Sequence, residues 1–307
     1  GTLDLDGTLT IAANGTLSMP RGDLRMSKTG VYPTFDINCT NVATQFIHNN
    51  GRFQTDAAGD FQLTANGAAF YKIITNCSSS GNLELQESMT IEKEVVNGSG
   101  DPIQLTGGQT YTFGTATQSA DINEVLRASN GSGTVTVQGA SSLYPVNISQ
   151  YDDMARELNL NLANVNVTTA VNFNRDKTVT LTGDCEFDAV TVSSGDTLDL
   201  NGQRAEVSGI LTIADGGTMN TTNGGLLVCG SNLIASGAIE DIDGTPLNVI
   251  VSSGTGHRYN LGQSGGGGPW CENLLVNGNV THNTGNIGNA SSAHAPKNII
   301  VGNGTFT

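Results

Sequence analysis

The stretch from Ser194 to Met219 reads SGDTLDLNGQRAEVSGILTIADGGTM, and its phrases return elsewhere in the chain. Gly7 to Leu17 (GTLTIAANGTL) aligns without a gap on Gly209 to Met219 (GILTIADGGTM), and Thr2 to Gly7 (TLDLDG) matches Thr197 to Gly202 (TLDLNG). A second phrase recurs as ENLLVNGNVT from Glu272 and KNIIVGNGTFT from Lys297, 25 residues on, with a weaker echo in YKIITN at Tyr71 to Asn76. Repeats of this period imply a stacked array. Within each phrase the apolar residues alternate with Thr or Asp, as in Leu198, Leu200 and in Leu9, Ile11. That is the period of a strand with one buried face. Asn-Gly, Asp-Gly and Gly-Gly steps between such short strands suit hairpins or the corners of a coil. Recurrence in register favours the coil.

In a β-solenoid every turn points Leu, Ile or Val inward onto the equivalent residue of the next turn, with Asn and Gly at the corners. A single turn is not stable by itself. Three or four inward aliphatics contribute roughly 1.5–3 kcal/mol each, whereas ordering a turn costs about 1–2 kcal/mol per residue. Stacking supplies the difference. The expected inward stack is Leu198, Leu200, Leu211 and Ile213, with Leu3, Leu5, Leu9 and Ile11 as their equivalents.

Composition agrees with this reading. The 307 residues include 40 glycines, but only 5% are aromatic and 13% charged, where an average domain has about 25% charged residues. Thr, Val and Ile favour strands, and Gly and Asn supply the positive φ of tight turns. A net charge of −15 argues against a nucleic-acid partner, since phosphates are repelled and no basic stripe offsets the acids. No apolar run approaches the ~18 residues of a membrane span, so no membrane insertion is expected. There is no charged-then-apolar leader, so any targeting signal is expected to have been removed or to lie outside this chain. Gly1 and Thr307 both fall inside repeat phrases rather than in polar caps, so a segment of a longer protein, or turns capped by a neighbouring subunit, is expected.

The stretch FIHNNGRFQTDAAGDFQLTANGAAFYKIITN, Phe46 to Asn76, resembles the repeats of large Gly/Asn/Thr-rich β-solenoid proteins of phage virions (decoration and fibre proteins) and bacterial surface adhesins. VTLTGDCEFDAVTVSSGDTLDLNGQRAEVSGILTIADGGTM, from Val179, is similar to further turns of the same repeats. The resemblance covers about two thirds of the chain; it is specific for the fold and shared by both groups in role. The expected fold is therefore all-β, a parallel β-solenoid (right-handed β-helix), with a short helical join.

That join is read from SADINEVLRASNG at Ser119, where Ile122, Val125 and Leu126 have helical spacing. SQYDDMARELNLNL at Ser149 spaces Tyr151, Met154, Ala155 and Leu158 likewise, with Ser149 as a cap and Asp152 and Asp153 in the first turn. The organisation expected is a solenoid block over 1–118, a join with short helices over 119–160 and a second block over 161–307, continuing beyond the chain or capped by a partner. The alternative for the first stretch is another turn of the coil with a longer corner.

Solenoid faces can carry glycan-cleaving carboxylates. In DCEFD the acids Asp184, Glu186 and Asp188 share one face opposite Cys185 and Phe187. This is the geometry of an active site and equally that of a solvated strand, and the solvated strand is the plainer reading. Glu240, Asp241 and Asp243 in EDIDG form an acidic turn without EF-hand spacing, a weak Ca²⁺ candidate. A structural Ca²⁺ is thus the one cofactor candidate, and none is required.

His48, His257, His282 and His294 are scattered, and Gly265 to Gly268 lack the Lys and Ser/Thr of a phosphate loop. Trp270, after that glycine run, is a candidate interaction residue beside the plainer reading of a buried loop anchor. Cys39, Cys77, Cys185, Cys229 and Cys271 contain no CxxC pair, so buried thiols are expected rather than zinc ligands. Arg21-Gly22-Asp23 spells an integrin-type tripeptide of a kind that arises by chance.

The sequence points to a structural and interaction protein without enzymatic activity, on a virion surface as a capsid decoration or fibre component. Its partners would be copies of itself and other virion or surface proteins, with glycans as a further class. The alternatives are a bacterial cell-surface adhesin or extracellular filament subunit, and a tailspike-like polysaccharide hydrolase or lyase.

Overall fold

Alternation along each strand decides which side chains meet in the core. In the strand Arg204–Val207, Ala205 and Val207 are buried and Arg204 and Glu206 face outward. Its parallel neighbours Cys185–Phe187 and Gly225–Cys229 place Cys185 and Leu227 beside Ala205, and Phe187 and Cys229 beside Val207. A computed structural model of the chain describes residues 1–28, 33–77, 81–98, 102–149, 154–240, 247–251, 257–261, 272–278, 280–282 and 298–302. The protein is nearly all β, a parallel β-solenoid with about 11 turns among its two units, Gly1–Leu160 and Asn161–Thr307. The one helix among the described residues is the single turn Val42–Gln45.

In the second unit the core is a set of aliphatic files. Val190, Leu211 and Leu233 stack in register, as do Val192, Ile213 and Ala235, and Leu198, Met219 and Ile239. All nine are buried, as is Leu200. Fully burying one such side chain is worth about 1.5–3 kcal/mol. Corners are made by Asn201-Gly202 and Asn223-Gly224, all four with positive φ. The Asn223 amide donates to the Asn201 side-chain oxygen at 2.8 Å. A Cβ on Gly202 would lie 3.2 Å from the Asn223 Cβ in a left-handed conformation, so glycine is required on both counts.

The first unit fills its interior with rings. Phe35 packs on Phe53 at 5.5 Å, Phe53 on Phe61 at 5.7 Å and Phe46 on Phe70 at 4.9 Å between centroids. Leu3, Leu5, Leu9 and Ile11 pair with the buried Leu24, Met26, Phe35 and Ile37. Of these four only Ile11 is buried; Leu3 is 40% exposed and Leu5 and Leu9 are half-buried. Among the described residues these strands pair with Asp23–Lys28 and Thr34–Ile37 on one side, and Leu3, Leu5 and Leu9 keep part of their surface in solvent.

The helical join is corrected by the structure. SADINEVLRASNG forms the strands Asp121–Asn123 and Leu126–Asn130, the alternative of a further turn of the coil. Its inward residues are Ile122, Glu124, Leu126 and Ala128, a period of two that the acid at 124 disguises. Glu124 is 2% exposed and accepts hydrogen bonds from the Thr75 hydroxyl and the Val125 N–H, both at 2.8 Å. In the second stretch, residues 150–153, including Tyr151, lie outside the described residues. Met154 to Leu158 is irregular, held by Ala128, whose carbonyl accepts from the Glu157 and Leu158 N–H groups. The strand Leu160–Ala163 follows directly.

Candidate functional site

The acids of DCEFD lie where alternation puts them: Cys185 and Phe187 are buried, and Asp184, Glu186 and Asp188 are exposed. Register then adds residues from neighbouring turns. Asn166, Glu186 and Glu206 form one outward column across three strands. Thr168, Asp188 and Ser208 lie beyond the ends of those strands, and the six polar residues line an open concavity of about 220 Å³ floored by Val167 and Phe187.

The structure therefore brings Glu186 and Asp188 together with a third acid, Glu206, and leaves Asp184 at the margin. Asp184 accepts the Arg204 backbone N–H at 2.9 Å. The Arg204 guanidinium pairs with Glu206 and lies 3.7 Å from Glu186, so one cation serves two carboxylates. This is a surface ion-pair network, of small energetic weight. Beside it lie the neutral side chains of Asn166, Thr168 and Ser208, with the Ser208 hydroxyl 3.3 Å from the Phe187 carbonyl oxygen that accepts from it. Glu206 was detectable in principle, because CEF at 185–187 and AEV at 205–207 occupy the same repeat position.

The other candidates resolve differently. Glu240 ends the strand Ala238–Glu240, while its side chain, Asp241, Asp243, Trp270, Gly265 to Gly268 and Cys271 lie outside the described residues. No group of His, Cys, Asp and Glu among the described residues is arranged to hold a metal ion. Cys39, Cys77, Cys185 and Cys229 are buried thiols. Burial pushes both the Cys185 and Cys229 thiols up to about 12, far from the reactive thiolate form.

His48 sits at a corner, its Nδ1 accepting from the Asn50 N–H at 3.0 Å, its Nε2 3.4 Å from Glu92, and its ring stacked on Tyr71. In Arg21-Gly22-Asp23 the Asp23 carboxylate is engaged by Arg52, so the tripeptide is not presented as a free loop. No helix among the described residues is long and apolar enough to cross a membrane.

No family model, curated protein or solved structure matches this chain.

Proposed function

We propose that this chain is a rigid structural and interaction module, a virion surface component of the capsid-decoration or fibre kind. The observation that carries the reading is the in-register stack itself: aliphatic files such as Val190, Leu211 and Leu233 run on from turn to turn under outward Thr, Asn and ion-paired side chains. Such a stack is rigid along its length because each turn is held by ladder bonds and core contacts on both sides. The resemblance of Phe46–Asn76 and of the stretch from Val179 to virion and adhesin repeats supports the setting. Partners on this reading are copies of the chain and other virion proteins.

The test is to purify particles from the native source and quantify this chain by mass spectrometry. A virion component co-purifies at a fixed multiple of the shell protein. Absence from particles with enrichment in a cell-envelope fraction overturns the reading in favour of the surface adhesin.

One observation favours a second reading, glycan cleavage: Glu186 and Glu206 lie side by side in the concavity, and paired carboxylates are the machinery of glycoside hydrolysis. On this reading the wild type releases reducing ends from a bacterial polysaccharide and Glu186→Gln abolishes the release. Equal release by both proteins contradicts it.

A further inference from the structure

Asn-Gly steps recur along this coil, and each carries a latent reaction. The glycine nitrogen can attack the side-chain carbonyl carbon of the asparagine before it, and does so most readily at this step because glycine has no side chain to obstruct the approach. Two groups must be free: the glycine N–H, which gives up its proton, and the asparagine amide, which turns toward it. A hydrogen bond on either one holds it back.

At most of these steps the structure holds one or the other. The N–H groups of Gly15, Gly51, Gly67, Gly98 and Gly224 donate to the carbonyls of Ala12, His48, Ser88, Thr75 and Thr221 at 2.6–2.9 Å. Asn201 is held through its side chain instead, which donates to the Leu181 carbonyl at 3.1 Å and accepts from Asn223 at 2.8 Å. Asn277-Gly278 adjoins residue 279, which lies outside the described residues, as does Asn303-Gly304.

Asn130-Gly131 is guarded at neither group. Asn130 ends the strand Leu126–Asn130, and among the described residues its side-chain amide has no hydrogen-bond partner. The Gly131 N–H likewise has no acceptor among them. Gly131, Ser132 and Gly133 are exposed, and both glycines have positive φ. Water therefore reaches the step, and an exposed run with two glycines leaves the backbone room to bring the Gly131 nitrogen to the Asn130 side chain. The main chain on the other side is engaged: Asn130 lies in register with Thr106, and its carbonyl accepts the Gly107 N–H at 2.8 Å.

We propose that Asn130 is a site of spontaneous deamidation, the first of the described Asn-Gly steps to convert in the folded protein. The Gly131 nitrogen loses its proton to solvent and bonds to the Asn130 side-chain carbonyl carbon, and the side-chain nitrogen takes up a proton and leaves as ammonia. One water then opens the cyclic imide. Cleavage of the new N–C bond gives aspartate; cleavage of the original main-chain N–C bond gives isoaspartate, with the chain rerouted through the side chain. The balance is one water in and one ammonia out, with no oxidation or reduction. Either product adds a negative charge to a chain already at −15. Isoaspartate also moves the carbonyl that Gly107 binds off the main chain, which loosens this turn from the preceding one.

The experiment is incubation of the full chain in warm, mildly alkaline, oxygen-labelled water, with circular dichroism to show that it stays folded, followed by peptide mapping with mass spectrometry. Deamidation takes up labelled oxygen, which separates it from aspartate already in the sequence. The Asn130 peptide gains label several-fold faster than the peptides holding Asn50, Asn66, Asn201 and Asn223, as a mixture of aspartate and isoaspartate. In denaturant the rates converge, because the hydrogen bonds that guard the other steps are gone. Asn130→Gln, whose longer side chain closes a ring slowly, removes the label from this position and leaves the other sites unchanged. Labelling at Asn130 no faster than at the guarded steps of the folded chain, or a preference for Asn130 that persists undiminished in denaturant, overturns the proposal.

Discussion

The Arg52 guanidinium holds both carboxylate oxygens of Asp23, at 2.5 and 2.9 Å, across one step of the stack. The pair begins a column that continues in register through Lys72, Glu94, Asp121 and Asn147. Lys72 donates to Glu94 at 2.6 Å and Asn147 to Asp121 at 2.8 Å. Outward charges on this part of the coil are thus spent on each other across turns, as expected of a wall whose register is set partly from outside. The side chains are partly solvated, so each pair contributes little.

Removing the cation between these acids tests that weight. Lys72→Ala leaves Glu94 beside Asp121 without its counter-ion and destabilises the first unit by about 0.2–1 kcal/mol. Urea denaturation is the measurement, and the difference shrinks in ~1 M salt, where the Debye length is about 3 Å. A loss well above this range, or one indifferent to salt, contradicts the assignment of the column to the solvated surface.

A buried carboxylate is a different case. Asp196 is 1% exposed, and its Oδ1 accepts the backbone N–H groups of Arg175 and Lys177 at 3.1 and 2.9 Å. It closes the corner of the preceding turn. Asp196→Ala leaves both donors without this acceptor and costs about 1.5–3 kcal/mol, the range for hydrogen bonds to a charged group. Hydrogen exchange at the Arg175 and Lys177 amides accelerates in the variant and stays slow in Asp196→Asn, which retains an acceptor oxygen. Unchanged exchange in the alanine variant contradicts the capping role.

Alkali should weaken the fold in a defined window. Burial pushes the Cys185 and Cys229 thiols from 9.0 up to about 12, and burial pushes the Tyr111 phenol from 10.0 up to about 12. Between these values the unfolded chain has released protons that the folded chain retains, so stability falls as pH rises. The contribution is fully present below pH ~9 and is lost through pH ~12. Denaturation midpoints that decline across this window are the expected result, with the two thiols unreactive toward a disulfide reagent at pH 8 until the chain unfolds. Rapid modification of the native protein at pH 8 contradicts their burial.

The core file offers the harshest substitution. Leu211 is fully buried between Val190 and Leu233. Leu211→Asp places an unpaired charge there, at a cost of several kcal/mol, and opens neighbouring turns to protease. Protease resistance equal to the wild type contradicts the stacked core.

Much of this arrangement was legible as alternation and repeat. DCEFD places its acids outward because Cys185 and Phe187 alternate with them, and the phrase offset of 25 residues between ENLLV and KNIIV is the offset at which Asn273 and Asn298 stack. Two kinds of feature were not legible. Glu124 occupies an inward position that a hydrophobic pattern reserves for Leu or Val, and its support from Thr75 comes from 49 residues away. That single acid turned a period of two into an apparent helical spacing. The ionic column was hidden for another reason. Turn length varies, so Asp23 reaches Arg52 over 29 residues but Lys72 reaches Glu94 over 22, and no fixed offset reveals the partners. The gathering of Glu206 with Glu186 and Asp188 likewise depends on register between turns.

The most direct measurement is cryo-electron microscopy of native particles, resolved well enough to trace the ~4.8 Å spacing of stacked strands. A virion component shows this coil in symmetric copies on the shell or tail. Density for the same coil as filaments on a cell envelope, and none on particles, would contradict the virion reading.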